Sequence, residues 1–220
     1  MKRTAALLAV SLLLSCTGLG TLRPVDGARR ADIASQCRAL FPGGQWQATH
    51  ILEADLPLGQ EGSFMAAVAT EEEGRGFRSV LMSLEGFVLF DATYQDGRIA
   101  THRAVPPLDE PGFARGMTGD IRLLLFPPDG VPSEVGETEA GHGACRWQRA
   151  TGKTVEVEML GQGCSRIRLY DDDGRVERDA TLSGTPRGGF APLMQLVAPG
   201  GAGYTLRLKL LDTGRGPAER

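Results

Sequence analysis

Residues 86–126 read GFVLFDATYQDGRIATHRAVPPLDEPGFARGMTGDIRLLLF, and this stretch decides the fold. It starts as an apolar strand, turns at Asp96-Gly97, which is a strong hairpin signal, and returns as a second strand. The best helix candidate outside the N-terminal segment follows the break at Pro106-Pro107. About three strand-like runs precede this stretch and about six follow it. One large curved sheet with a helix on its concave side is therefore predicted.

The predicted helix has one apolar face, with Pro111 in its first turn. Residues at helical spacing form that face: Phe113, Met117, Ile121 and Leu124. Arg115 and Asp120 are predicted to lie off it. Three glycines weaken the helix by roughly 1 kcal/mol each relative to alanine: Gly112, Gly116 and Gly119. Periodicity leaves two interpretations open, a plain core helix and a mobile lid over an apolar cavity.

The strand pattern predicts a mainly β protein with eleven strands, five before the helix and six after it. In the third strand, we assign Val80, Met82 and Leu84 to the concave face and Phe77, Ser79 and Leu81 to the other. The predicted strands are 46–54, 64–70, 77–84, 87–94, 98–105, 144–149, 153–160, 164–170, 175–182, 189–197 and 203–211.

The register of the strands between residues 144 and 170 follows from two short glycine loops. These loops place Cys145 opposite Val157, Trp147 opposite Val155, and Val157 opposite Ile167. The apolar face then also includes Leu169. The opposite face carries Glu156, Glu158, Arg166 and Arg168 and is expected to be solvated, as in an antiparallel sheet with one wet side.

The N-terminus has the features of a secretory signal. Lys2 and Arg3 precede about ten apolar residues, a run too short to span a bilayer as a helix. The segment LLSCTG around Cys16 resembles the lipobox of bacterial lipoproteins. That resemblance implies removal of residues 1–15, lipidation of Cys16, and, because Thr17 follows, sorting to the outer membrane. An ordinary secreted protein with a chance cysteine is the alternative.

Charge and composition restrict the partners. Removing Lys2 and Arg3 with the signal leaves 22 basic and 27 acidic residues, a net charge near −5, which argues against nucleic acid. We interpret residues 16–30 as a lipidated tether, 31–212 as one domain and 213–220 as a flexible tail. A short helix over 31–41, capped by Asp32, is predicted to pack against the sheet edge.

The remaining cysteines leave the disulfide pairing open. In the predicted register, Cys145 and Cys164 lie on non-adjacent strands and point to opposite faces, which disfavours a bond between them. Cys37 can reach Cys145 if the first helix packs on the apolar face. No zinc-type spacing involves His50, His102 or His142. The acidic triplets 71–73 and 171–173 are interpreted as hairpin tips.

Catalytic motifs are absent from the sequence. It has no G-x-S-x-G elbow, no H-E-x-x-H and no phosphate-binding glycine-lysine loop. We therefore predict that the protein is not an enzyme and needs no cofactor or metal.

The lipobox, the N-terminal helix and the helix inserted after the fifth strand together resemble the LolA/LolB superfamily. The run 84–94 followed by Asp96-Gly97 is most similar to the uncharacterised lipoprotein family DUF3261. The resemblance implies an unclosed, eleven-stranded half-barrel whose concavity holds helices and accommodates acyl chains. LolB inserts lipoproteins with an apolar residue on a protruding loop between its third and fourth strands. Here that connection is only Glu85-Gly86, so this activity does not carry over.

These features predict a carrier or chaperone that binds the acyl chain of a lipid or lipoprotein at the outer membrane, with a periplasmic protein as a possible partner. The alternative is an envelope scaffold or sensor that binds no lipid. The expected cavity lining is Val80, Met82, Leu84, Phe113, Met117, Ile121, Leu124, Trp147, Val155, Val157, Ile167, Leu206 and Leu208.

Overall fold

The computed structural model describes residues 18–71, 76–187, 189–200 and 203–215. Within these ranges the chain forms two α-helices, α1 (Gly27–Ala39) and α2 (Pro111–Leu125). Neither helix is long and apolar enough to cross a membrane. The strands are β1 (Trp46–Leu56), β2 (Gln60–Thr70), β3 (Gly76–Met82), β4 (Val88–Gln95), β5 (Arg98–Ala104), β6 (Glu134–Glu137), β7 (Gly143–Gln148), β8 (Thr154–Gly161), β9 (Cys164–Tyr170), β10 (Val176–Ser183), β11 (Leu193–Ala198) and β12 (Tyr204–Arg215).

All twelve strands belong to one antiparallel sheet that does not close into a barrel. Its order is β5-β4-β3-β2-β1-β12-β11-β10-β9-β8-β7-β6. The prediction of a mainly β, unclosed sheet with two helices is confirmed. The predicted number of strands is wrong by one, because the short strand β6 pairs with β7. Its sequence, EVGE, is too short and too polar to show a strand periodicity.

The buried side chains form two clusters on the concave side. The larger cluster lies beneath α1, which packs on β6, β7 and β8, and includes Leu123, Leu124 and Leu125 from the end of α2. The smaller cluster contains Leu81 and Phe90 and lies beneath the first half of α2. Since α2 contacts both β5 and β9, it spans the concave face of the sheet.

Helix α1 begins earlier than the sequence pattern predicts. Its cap is Asp26, whose side chain accepts a hydrogen bond from the backbone N–H of Arg29 at 2.9 Å, and not Asp32. Asp32 lies inside the helix, where it accepts hydrogen bonds from Arg29 and Gln36. Just before the helix, the backbone of Arg23 pairs with strand β6. Residues 23–30, which we predicted to belong to a tether, thus include an ordered segment.

The last strand of the sheet extends further towards the C-terminus than the sequence predicts. Strand β12 runs to Arg215, beyond its predicted end at residue 211, because it pairs with β1 as far as Trp46. The predicted signal peptide and Cys16 lie outside the described residues, as does the segment 216–220.

The predicted pairing around β8 is confirmed. Cys145 pairs with Val157, Trp147 pairs with Val155, and Val157 pairs with Ile167. All five side chains are buried on the concave side. The hairpin loops therefore set the register, and that register determines which residues face α1 and α2.

The opposite face of these strands is charged, as predicted, but it is not uniformly solvated. Glu156 and Glu158 are only 3% and 5% exposed. Arg146 donates from Nε to Oε2 of Glu156 at 2.7 Å, and Arg168 donates from Nη2 to Oε2 of Glu158 at 2.6 Å. The expectation of a wet face is wrong for these two glutamates, because arginine side chains and the Tyr170 hydroxyl cover their carboxylates.

Candidate ligand-binding site on the concave face

Most of the predicted lining residues on the second half of the sheet lie together on its concave wall. Trp147, Val155, Val157 and Ile167 are buried in the larger cluster. Leu206 and Leu208 on β12 are half-buried and pack against the same cluster. This part of the wall is covered by α1 as well as by the end of α2, so it is not lined by the lid helix alone.

Helix α2 faces the wall with the apolar side chains that its periodicity predicted. Phe113 and Met117 pack against the smaller cluster, where the ring of Phe113 meets the ring of Phe90 edge-on at 5.1 Å. Ile121 and Leu124 pack against the larger cluster. The helix therefore lies within the concavity and not outside it.

Three predicted lining residues are not on the concave wall. Val80 and Met82 point to the convex face of β3, and Leu84 is 53% exposed beyond the end of the strand. Both faces of β3 carry apolar side chains, so alternation alone does not show which face is buried. The wall residues of β3 are instead Phe77, Ser79 and Leu81. Ser79 is tolerated there because its hydroxyl donates to the carbonyl oxygen of Ala92 at 3.4 Å.

An aromatic cluster holds the end of α2 against the sheet. The ring of Phe126 lies 5.4 Å from that of Trp46 and 5.0 Å from that of Phe77. The other side of Trp46 contacts Phe190 edge-on at 5.0 Å. Beside this cluster is an open cavity of about 350 Å³, lined by Phe77, Tyr94, Asp96, Arg122, Phe126, Pro127 and Asp129.

A polar contact crosses the apolar boundary between α2 and the wall. Arg178 on β10 donates from Nε to Oδ1 of Asp120 at 2.9 Å, and the hydroxyl of Tyr204 on β12 donates to Oδ2. Asp120 is 7% exposed, which corrects the prediction that it lies off the buried face. Burial raises the pKa of Asp120, although the hydrogen bond from Tyr204 and the charge of Arg178 oppose that rise.

Tyr204 and Arg178 both lie beside the carboxylate of Asp120. Burial, followed by the nearby Asp120 charge, raises the pKa of Tyr204, so this group is a hydrogen-bond donor at neutral pH. The guanidinium carbon of Arg178 lies 5.2 Å from the centre of the Tyr204 ring, a cation–π arrangement. The wall thus presents two donors to the carboxylate of α2.

His50 is a second polar group on the concave wall. It lies on β1 between Ala66 and Leu210 and is 1% exposed. Its Nε2 has no hydrogen-bond partner among the described residues. Burial lowers the pKa of His50 to about 4, so the imidazole is neutral at neutral pH.

Other polar features lie outside the concavity. A depression of about 440 Å³ is lined by Glu53, Ala54, Asp55, Glu61, Gly62, Ser63 and Arg207. The carboxylates of 171–173 approach within 4.8 Å of one another at the β9–β10 turn. Arg175 donates to Asp173 there at 2.6 Å, which fits the predicted hairpin tip. Neither feature contacts α2.

Sequence reasoning missed the polar groups of the site. Asp120 follows Phe113 by seven residues, almost two helical turns, so the helical repeat does place it on the buried face. Arg178 alternates with Ala180 and Leu182 and shares their face. His50 alternates with Ala48 and Trp46 and shares their buried face, so the strand period places it on the wall as well.

The comparisons identify a fold. No family model matches this sequence, and no curated relative does. Among solved structures, a LolA superfamily protein from Nitrosomonas europaea superposes with a TM-score of 0.57 at 8% identity, covering 87% of this chain and 94% of that one. A putative outer membrane lipoprotein-sorting protein domain from Vibrio parahaemolyticus gives 0.42 at 11% identity, with 89% and 95% covered. A DUF1329 family protein from Desulfovibrio piger gives 0.44 at 10% identity, with 86% and 92% covered. The chain therefore has a LolA-like fold.

Proposed function

We propose that this protein is a carrier or chaperone that binds the acyl chain of a lipid or lipoprotein between α2 and the concave wall. The observation that supports the proposal most directly is the position of α2. It lies within an unclosed sheet and rests on side chains that are almost all apolar. The LolA superfamily neighbour shares this fold.

Acyl chains suit such a wall for a simple physical reason. Transfer from water to an apolar surface gains about 25 cal/mol per Å², or about 0.8 kcal/mol per CH₂ group. The side chains that α2 now covers are able to provide that surface once the helix moves. Three glycines make the helix less stable by roughly 1 kcal/mol each relative to alanine, which lowers the cost of moving or unwinding it.

Membrane attachment belongs to the same proposal. Lipidation of Cys16 would anchor the domain at the outer membrane, facing the periplasm, with only one residue between the anchor and the first described residue, Gly18. We further propose membership of the DUF3261 lipoproteins, on the similarity of residues 84–94 to that family. A protein partner in the periplasm would deliver or receive the acylated ligand.

The proposal is tested with a chain that starts at residue 16 and carries Cys16→Ser, which retains every residue that the structure describes. Gently purified protein is expected to contain lipid, detected by mass spectrometry after extraction. Met117→Asp places a charge against the apolar wall and is expected to abolish lipid retention while the far-UV circular dichroism stays close to that of the parent.

Arg115→Asp is the matched control, because Arg115 lies on the exposed side of the same helix. It is expected to retain lipid. Lipid-free parent protein that also fails to take up added fatty acid would contradict the carrier proposal.

A second candidate function is an envelope scaffold or sensor that binds other proteins and no lipid. It is favoured by the direct packing of α2 on the wall, where the rings of Phe113 and Phe90 meet edge-on at 5.1 Å and Leu124 is buried in the larger cluster. Under this candidate, Met117→Asp and Arg115→Asp would behave alike in every lipid assay, and only protein partners would copurify.

A further inference from the structure

We propose that Arg178 and Tyr204 form an anion-binding site on the concave wall, which the carboxylate of Asp120 occupies while α2 is in place. Its ligand class is an amphiphile that carries an apolar chain and one anionic group, a carboxylate or a phosphate. This inference rests on the proposed carrier function and adds the chemistry of the ligand's head group.

Both donors of the site belong to the sheet. Arg178 is on β10 and Tyr204 is on β12, with β11 between them. Only the acceptor, Asp120, is on α2. A movement of α2 therefore removes the acceptor and leaves the two donors in their positions on the wall.

The guanidinium of Arg178 is held in place by contacts that do not involve α2. Its Nη1 donates to the carbonyl oxygen of Glu177 at 2.7 Å, and its guanidinium carbon lies over the ring of Tyr204. Nε remains directed at the carboxylate of Asp120. The wall thus offers one charge-assisted N–H donor and one O–H donor in a fixed arrangement.

A ligand anion presents the same acceptors as Asp120. A fatty carboxylate or an alkyl phosphate has at least two oxygens that can take these two hydrogen bonds, and arginine is well suited to both groups. With α2 displaced, the Arg178 charge, whose side chain is 25% exposed, would lie unpaired on the same face as the apolar cluster that contains Ala180, which is costly. An anionic ligand removes that cost, whereas a neutral one does not.

Stability alone does not account for this contact. A buried ion pair is often replaced by apolar side chains with no loss of stability, because the pair costs desolvation energy. Much of the rest of the contact between α2 and the wall is made by apolar side chains such as Met117 and Leu124. The contact is explained if Asp120 moves away together with α2, because Arg178 is then available on the wall to bind another anion.

The test measures binding of three probes with the same chain length at neutral pH: dodecanoate, dodecyl phosphate and dodecanol. The protein is the chain that starts at residue 16 with Cys16→Ser. The parent is expected to bind both anionic probes about tenfold or more tighter than dodecanol, the effect of a hydrogen bond to a charged group. Inorganic phosphate is expected not to compete, because it lacks the chain.

Arg178→Met separates an anion site from a purely structural ion pair. It releases α2 and is expected to raise the affinity for dodecanol, but it removes the main anion donor and is expected to lower the affinity for dodecanoate about tenfold or more. Asp120→Asn keeps both donors and is expected to raise the affinity for all three probes. Arg166→Met, a half-exposed arginine that pairs with Asp179 on the other face, is the matched control and is expected to change none.

The outcomes distinguish this inference from the function on which it rests. Equal affinities for the anionic probes and dodecanol in the parent, or parallel changes for all probes in Arg178→Met, would overturn the anion site and leave the carrier function standing. If no probe binds, the carrier function fails and the anion site fails with it. Competition by inorganic phosphate would overturn the assignment of an amphiphile as the ligand.

Discussion

Cys37 on α1 and Cys145 on β7 are joined by a disulfide, with their Cα atoms 6.4 Å apart. The bond links residues 108 positions apart in sequence and attaches α1 to the concave wall. Because it closes a long loop, it limits the freedom of the unfolded chain. Of the pairings that the sequence left open, this is the one that forms, and Cys164 forms no disulfide within the part of the chain that the structure describes.

We expect Cys37→Ser combined with Cys145→Ser to lower the free energy of unfolding by about 2–5 kcal/mol. Urea denaturation followed by tryptophan fluorescence measures this loss. Cys164→Ser is the control and should change little. A parent protein whose unfolding midpoint is the same with and without reductant would contradict the expectation.

Gly119 in α2 provides a test of whether the low stability of this helix controls ligand exchange. A Cβ built on this exposed residue meets no atom within 4 Å, so alanine fits without a clash. Gly119→Ala should stabilise α2 by up to about 1 kcal/mol and slow the exchange of a bound fatty acid, measured by stopped-flow fluorescence.

Gly136→Ala is the contrasting variant outside α2. Its Cβ would overlap the carbonyl oxygen of Arg23, so the variant should lower the melting temperature instead of raising it. If Gly119→Ala stabilises the protein but leaves ligand exchange unchanged, the helix is not the gate.

Cys16 is expected to carry the membrane anchor. Cys16→Ser in the full-length chain, expressed in a Gram-negative host, should move the protein from the membrane fraction to the soluble periplasmic fraction, because loss of the acyl chains removes the apolar anchor. Immunoblots of the two fractions measure the shift. Cys164→Ser should leave the distribution unchanged, and a Cys16→Ser protein still in the outer membrane would argue against lipidation.

The sequence predicts most of the fold because hairpin chemistry is local. Asp96 and Gly97 both adopt positive φ, at 48° and 83°, as the short turn requires. The same kind of reasoning predicted the pairing of Cys145 with Val157. Where a turn fixes the register, the faces of the strands follow without knowledge of the rest of the chain.

The parts that could not be predicted depend on contacts between distant segments. The prediction places Val80 on the concave face of β3 and Ser79 on the other, and the structure shows the reverse. Only the packed structure reveals which side of β3 faces α2. The prediction that Asp120 lies off the apolar face is wrong although the helical repeat puts it there, because the groups that hydrogen-bond its carboxylate are far from it in sequence. Its partners are 58 and 84 residues away in sequence.

His50 predicts a pH dependence of stability. Its pKa in the folded protein is about 4, below the ordinary value of 6.5, so the unfolded chain binds a proton that the folded chain does not between these pH values. Stability should therefore be complete above about pH 6.5 and fall as the pH is lowered towards 4, by up to about 3 kcal/mol for this residue.

Denaturant unfolding at several pH values between about 4 and 8 measures the effect. His50→Leu, which fills much of the same apolar site, should flatten the profile in that window. His102→Gln, at an exposed position on β5, is the control for the replacement of a histidine as such. Identical slopes in the parent and in His50→Leu would show that another group causes the acid sensitivity.

Arg146 and Glu156 form a buried ion pair on the convex face. Replacing one partner of this pair is expected to lower the free energy of unfolding strongly. Arg146 contacts Glu156 through Nη2 at 2.6 Å, and both side chains are almost fully buried. Arg146→Met leaves the carboxylate of Glu156 without its closest cation in a place that water does not reach. We expect a loss of about 3–5 kcal/mol in the free energy of unfolding, largely independent of salt.

The exposed pair of Arg175 and Asp173 is the comparison. Its distance is also 2.6 Å, but its side chains are 76% and 62% exposed. Water screens this pair, so Arg175→Met should cost no more than about 1 kcal/mol. Adding Glu156→Leu to Arg146→Met should recover much of the lost free energy of unfolding, because the double variant leaves no unpaired charge at this buried position. Equal costs for the two arginine variants would show that burial does not determine how much these two ion pairs stabilise the protein.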